Sequence, residues 1–188
     1  MLGVMTGPRL GLVACAAGGV EDLRHHLIEP LRAAGWTVAV TLTPTAASWL
    51  RESGEIDRIE AATALPVRSE PRLPWEVSPH PPVDCYAVVP ATANTVAKLA
   101  LGIADNQGLT QVGEALGTGH PPVVIFPRVN AAHAAHPAWE AHLATLRRAG
   151  AHLVYGDDVW PLHRPRSAPG RRLPWRAIRL AIENAVRS

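Results

Sequence analysis

The 188-residue chain contains a single lysine, Lys98, among its 18 basic residues. Arginine supplies the remaining positive charge, and it is scattered, with doublets only at Arg147–Arg148 and Arg171–Arg172. A nucleic-acid partner needs a basic stripe or patch, so none is expected. Cysteine is scarce too. Cys15 and Cys85 sit inside strand-like runs, and two thiols make no disulfide framework. They read as buried free thiols in a reducing cytoplasm. No basic segment followed by an apolar run opens the chain, so no signal peptide is expected. No apolar stretch reaches the ~18 residues of a membrane helix, so no membrane partner is expected either. Internal repeats and low-complexity segments are also missing.

What the chain does have is 47% hydrophobic and 18% charged residues. That balance predicts one globular domain over residues 1–188 with room for a proper core. Leu10–Ala14 is a short apolar run that stops at Gly18–Gly19, as a buried strand and turn would. Val20, Leu23, Leu27, Leu31 and Ala34 then recur at a helical period, with Pro30 expected to bend the helix and Gly35 to close it. Thr37–Leu42 reads as the second strand. Thr43-Pro44-Thr45 starts a helix over Ala46–Glu52.

Gly54–Pro82 is rich in proline and charge and reads as an irregular excursion, with a weak strand candidate at Ala64–Val67. Cys85–Val89, Pro122–Phe126 and His152–Tyr155 are further strands. Ala93–Leu101, Pro137–Ala149 and Trp175–Arg187 are helices, and Gly156–Pro174 is a proline- and arginine-rich loop. Strand and helix alternate, which predicts an α/β fold, a doubly wound parallel sheet covered on both faces in three layers. Ligands of such sheets bind beyond the carboxyl ends of the strands, where strand order reverses. The loops after Ala14, Leu42, Val89 and Phe126 lie at that edge.

One segment there carries chemistry. It runs from Pro90-Ala91-Thr92-Ala93-Asn94-Thr95 to Ala104-Asp105-Asn106. Small Ala91 and Ala93 permit close approach to the backbone. Thr92, Asn94 and Thr95 offer hydroxyl and amide groups beside the free N–H groups of a helix start, which suits an anionic or polar ligand. On spacing alone, Thr92 or Asn94 equally reads as an ordinary helix cap. Asp105 and Asn106 end the helix after Gly102 and are placed to reach a neighbouring site or subunit. His133, His136 and His142 follow the fourth strand, but a lone H-x-x-H at a helix start is read as surface or clamp histidines and not as a metal site.

PATANTVAKLALGIADN closely resembles the PASANT-type motif of the homo-oligomeric flavin-containing cysteine decarboxylases, which include phosphopantothenoylcysteine decarboxylase and the lantibiotic peptidyl-cysteine decarboxylases. Pro127-Arg128-Val129-Asn130 is similar to the start of their P-x-M-N-x-x-M-W clamp, with Val129, His133 and Ala134 in place of Met, Met and Trp. Gly170-Arg171-Arg172-Leu173-Pro174 resembles their G-R-M-x-x-P stretch. The resemblance implies a flavodoxin-like fold, bound FMN, a small-molecule or peptide thiol substrate and a homo-oligomer, either a trimer or a dodecamer. It puts Ala16 and Gly18 of the first loop at the phosphate and adds hydroxyls from Thr43 and Thr45. Pro90, Ala91, Thr92, Asn94, Thr95, Ala104 and Asp105 complete the implied cofactor contacts. Trp49 either packs near the flavin or joins the core.

In decarboxylating members the flavin oxidises the thiol of a C-terminal cysteine group to a thioaldehyde, and carbon dioxide then leaves. Asn130 takes the role of holding the substrate carboxylate. The family's catalytic histidine lies eight residues before the aspartate that precedes the buried strand, and the same count back from Asp84 reaches Glu76. His80 is the nearby histidine, so His80 and Glu76 are both candidates for the acid–base role. Gly156–Pro174 lacks the cysteine that members forming the saturated thiol carry, which argues against phosphopantothenoylcysteine decarboxylation. The alternatives are another redox reaction on the same fold or a flavin-binding partner without catalysis. The prenyl-flavin synthases, with a motif more like C-S-M-N-T, fit less well.

Overall fold

Runs of aliphatic and β-branched residues form one parallel sheet. In the computed structural model, which describes residues 7–187, the strands are β1 (Arg9–Ala14), β2 (Thr37–Leu42), β3 (Cys85–Ala91), β4 (Val123–Pro127) and β5 (His152–Leu153). Their order is β2-β1-β3-β4-β5, and every neighbouring pair is parallel. All of β2 and β4 is buried, as strands covered on both faces must be.

Alternation of side chains along β1 splits the interior in two. Leu10, Leu12 and Ala14 enter one core and Val13 the other. The first core is closed by the helical stretch after β1, by α2 (Pro44–Glu52), α3 (Glu55–Thr63) and α8 (Trp175–Arg187). The second is closed by α4 (Ala93–Leu101), α5 (Gln107–Thr118) and α7 (Trp139–Arg148). A short α6 (Ala131–Ala134) follows β4. The expected doubly wound sheet is therefore present, in the strand order of flavodoxin-like folds.

Several local expectations are corrected. The helix expected over Val20–Ala34 is three windings in series: a 3-10 turn at Val20–Asp22, a π-helix at Arg24–Ile28 and α1 at Glu29–Ala33. Pro30 has no N–H for the carbonyl four residues back, and the winding is widened just before it, with Glu29 N–H donating to Arg24 O. Gly54–Pro82 is not wholly irregular, because it begins with α3. That helix buries Ile59, and Glu55 pins it to the first helical stretch through Arg24 at 2.9 Å while also bridging to Arg58 of its own first turn at 2.6 Å. The strand candidate Ala64–Val67 is displaced to Arg68, whose N–H donates to Val40 O at 3.0 Å and whose carbonyl accepts from Leu42 N–H at 2.7 Å. One pairing thus covers part of the outer edge of β2.

Residues 107–118 carry α5, which the sequence reading left unassigned. Asn106 does not finish a helix: Gly102 ends α4, and Asn106 caps α5 by accepting Leu109 N–H at 3.1 Å. β3 continues to Ala91 with a register shift against β4 between Val88 and Ala91, where Pro90 lacks a donor for the ladder. β5 is only His152–Leu153, shorter than expected.

Candidate functional site

The chain leaves β1 for β2 on one side, while β3 lies on the other, so the strand order reverses at the β1–β3 crevice. Three strand-end loops meet there. Cys15 N–H donates to Pro90 O at 3.1 Å and Thr43 N–H to Ala14 O at 2.9 Å, which ties the loops after β1, β2 and β3 together. They enclose a cavity of about 430 Å³. Of the expected cofactor contacts, Ala16, Thr43, Thr45, Thr92, Asn94, Thr95 and Asp105 line it.

Gly18, Pro90, Ala91 and Ala104 lie outside that lining. Ala91 is fully buried behind it, at the end of β3. Ala104 lines a different surface pocket with Ile103 and Leu109. Gly18 faces Arg128, whose Nη2 would stand 3.6 Å from a Cβ at position 18. Trp49 is 51% exposed on α2, so it belongs neither to the core nor to this lining.

Cys15, Pro44, Lys98 and Asn106 line the cavity without having been singled out as contacts. Lys98 was legible: Asn94, Thr95 and Lys98 are spaced i, i+1 and i+4, one face of a helix.

The polar groups are arranged in two ways. On the β3 side they bond to one another. Thr92 caps α4, accepting Thr95 N–H at 3.2 Å, and its hydroxyl donates to Thr95 Oγ1 at 3.1 Å. Thr95 Oγ1 in turn lies 3.2 Å from Cys15 Sγ. Burial pushes the Cys15 thiol above its ordinary range, against smaller opposing effects of Thr95 and the Thr92 backbone. The thiol stays protonated and is no nucleophile. Lys98 is bonded to Asp105, and that bond holds the Asp105 carboxyl below its usual range.

On the β2 side, Thr43 is the N-cap of α2 but its side chain does not cap. The first-turn N–H groups are left without that acceptor, at the positive end of the helix. A cavity of this size with an uncapped helix start, four hydroxyl-bearing threonines and one lysine fits a nucleotide-like cofactor such as FMN.

None of the three catalytic candidates lines that cavity, and Asn130 lies at a different pocket from His80. Glu76 is exposed in a turn, where its carboxylate accepts Leu73 N–H at 2.9 Å. His80 lines a second cavity of about 430 Å³, on the sheet face carried by Gly11, Thr41 and Tyr86. Its Nε2 lies 2.7 Å from Pro66 O. A carbonyl can only accept, so Nε2 carries the proton. Burial lowers the His80 pKa, with the Pro66 carbonyl opposing and Arg68 adding to the fall. The neutral ring therefore leaves Nδ1 as an acceptor. Asn130 caps α6 through Oδ1, which accepts Ala132 and His133 N–H, each at 3.0 Å. It borders a third pocket, of about 240 Å³. Within one chain these residues do not converge on the β1–β3 cavity.

Residues 5–183 match the profile of the family described as Flavoprotein. Among curated proteins, a cysteine/cysteine sulfinic acid decarboxylase from an unknown prokaryotic organism is 41% identical over 71 residues, which is 38% of this chain and 19% of that protein. The chain thus spans about a fifth of the length of that relative. Among solved structures, the FMN-dependent cysteine decarboxylase TvaF from thioviridamide biosynthesis superposes with a TM-score of 0.70 at 23% identity, over 96% of this chain and 99% of its own. A variant of EpiD complexed with the substrate peptide DSYTC superposes with a TM-score of 0.60 at 23% identity, over 79% of this chain and 80% of its own. These similarities establish the flavodoxin-like α/β fold.

Proposed function

The chain belongs to the Flavoprotein family, and from that premise we propose that it binds FMN in the β1–β3 cavity and oxidatively decarboxylates a cysteine-ended peptide or a related thiol. The observation that carries this reading is the cavity at the switch point, built from the Pro90–Asn106 segment and the loops at Ala16 and Thr43–Thr45. A bound flavin supplies a two-electron acceptor. The open first turn of α2, with the hydroxyls of Thr43 and Thr45, would hold its phosphate. Thr92, Asn94 and Thr95 hold the remaining polar edge, and Asp105 neutralises Lys98 there.

The peptide in the EpiD complex ends in cysteine, and TvaF is a cysteine decarboxylase. A substrate of that kind presents a thiol and a carboxylate. Asn130 suits the carboxylate: its Oδ1 is occupied by the helix cap, so the two Nδ2 protons remain as donors. Neutral His80 suits the thiol, whose proton Nδ1 accepts; Glu76 is the alternative base. Their separation in one chain requires assembly. A homo-oligomer, trimeric or dodecameric, brings one copy's His80 or Asn130 to another's cavity. Residues 1–188 act as one FMN-binding domain, working in the cytoplasm.

That same separation favours a second reading, a flavoprotein with another redox reaction at the same cavity. One experiment decides. Anaerobic mixing of the purified holoprotein with cysteine-ended peptides should bleach the flavin and release carbon dioxide. Bleaching without carbon dioxide would select the second reading, and protein that takes up no FMN would sink both.

A further inference from the structure

Beyond β4, the loop before α8 closes the third pocket, of about 240 Å³, bordered by Arg128, Arg164, Arg166, Arg171, Trp160 and Asn130. No aspartate or glutamate lines it. Among the described residues, none of the four arginines forms an ion pair. Glu21, the acid whose charge reaches Arg128, has its carboxylate on Gly19 N–H at 2.8 Å. Arg128 and Arg171 are half-buried while Arg164 and Arg166 are exposed at the rim, so repulsion acts most strongly between the first two, where it exceeds its value in water.

Stacking holds part of the cluster in position. The guanidinium carbons of Arg128 and Arg171 stand 4.7 and 3.8 Å from the Trp160 ring centroid. Trp160 is itself fixed edge-on to Phe126, and its Nε1–H donates to Arg172 O at 3.2 Å. Fastening the loop to the sheet would account for these two arginines. It does not account for Arg164 and Arg166, whose side chains make no hydrogen bond or ion pair among the described residues. Nor does it satisfy Arg128 Nε, which is buried without an acceptor. Burial, and then the charge of Arg171, push the Arg128 guanidinium below its ordinary range. An oxyanion in the pocket would relieve each of these deficits, because guanidinium forks match carboxylate and phosphate oxygens.

We propose that this pocket is an oxyanion subsite and that, on the reading of the reaction given above, it holds a second anionic group of the substrate, distinct from the carboxylate that is lost. Asn130 borders the pocket, which sets the subsite beside the group that would hold the reacting carboxylate. Arg128 reaches back to the first loop at Gly18, connecting the subsite to the edge where the flavin cavity opens. The substrate class is therefore a thiol that carries a carboxylate or a phosphate away from its cysteine end.

The test uses FMN-loaded protein, so that the cofactor's own phosphate site is filled. Inorganic phosphate is titrated by calorimetry into the wild type and an Arg164→Gln/Arg166→Gln variant, and binding should weaken about tenfold in the variant. Equal affinity in the two proteins, or no binding to either, overturns the subsite whatever the reaction. Carbon dioxide release is then compared for cysteine-ended peptides with an acidic or an amide residue upstream, and for a small phosphorylated thiol against its unphosphorylated form. The wild type should favour the charged member of one pair, which identifies the source of the anion, and the variant should lose that preference. Turnover with no charge preference in either pair overturns the substrate assignment. Arginine-dependent phosphate binding without carbon dioxide from any thiol rejects the decarboxylase reading and leaves the subsite standing.

Discussion

At the β1–β3 crevice each charged side chain on the cavity wall has its partner, Lys98 against Asp105, and the threonines of the β3 side are bonded to each other and to Cys15. Beyond β4, four arginines share a smaller pocket without an acid among its lining residues. The first pocket is shaped before any ligand arrives, by caps and main-chain ties. The second is held by stacking on one indole, and its charge is uncompensated. A preorganised neutral lining binds one cofactor in one pose. An uncompensated cationic lining selects by charge and tolerates variation in what carries it.

Replacement of Trp160 tests the second half of that contrast most severely. Trp160→Ala removes a 7%-exposed indole and the platform for Arg128 and Arg171, and should cost about 3–5 kcal/mol in urea unfolding. Flavin absorbance at saturating FMN should persist, and its loss would mean that the two pockets are not independent.

Asn130→Asp comes next. An aspartate caps α6 as well as asparagine does, so the urea midpoint should hold. Its charge meets a substrate carboxylate where two donors stood, and turnover should fall by the equivalent of about 1.5–3 kcal/mol. Unchanged turnover would make Asn130 a cap and nothing more.

Thr95→Val acts on the first pocket. It strips a buried hydroxyl from Thr92 and Cys15 and should cost about 1–3 kcal/mol, with weaker FMN retention on dialysis but no change in phosphate binding.

The smallest effect is one of pH. His80 has a lowered folded pKa, so the unfolded chain binds its proton first as acid is added. Stability is fully present above the ordinary histidine value near ~6.5 and declines as pH falls from there towards the lower folded value. His80→Gln should flatten that part of a stability-against-pH curve, and an identical slope in both proteins would show that His80 is not buried as described.

The sheet was legible because its strands are unbroken apolar runs bounded by turn residues, and β1 to β4 fall where those runs lie. The two longer of the missed helices were masked for different reasons, the third being the four-residue α6. Residues 107–118 include Gly108, Gly113 and Gly117, which read as loop, yet Leu109, Val112 and Ala115 form a buried stripe behind an asparagine cap. α3 carries Glu55, Asp57, Arg58 and Glu60, so its two isoleucines are masked by charge, of which Glu55 and Arg58 are spent on ion pairs and Glu60 on the Val67 N–H. At the cavity, residues belonging to the motif could be read, Lys98 among them by its helical spacing, whereas Cys15 needed the third dimension. The arginine pocket was not legible at all, because Arg128 and Arg164–Arg171 are far apart in the chain and only the turn of the loop over Trp160 gathers them.

Asn106 holds two posts at once, on the cavity wall and at the head of α5, where its side-chain oxygen takes the Leu109 amide. The exchange rate of that single amide with deuterated solvent therefore becomes a gauge of cavity occupancy. A ligand that draws the Asn106 side chain to itself releases Leu109 and quickens its exchange, and one that leaves the cap in place slows it by shielding the first turn. Gly108, where an added Cβ would stand 2.7 Å from Val13, seats that turn directly on β1, so the gauge reads the wall of the site and not a loose end.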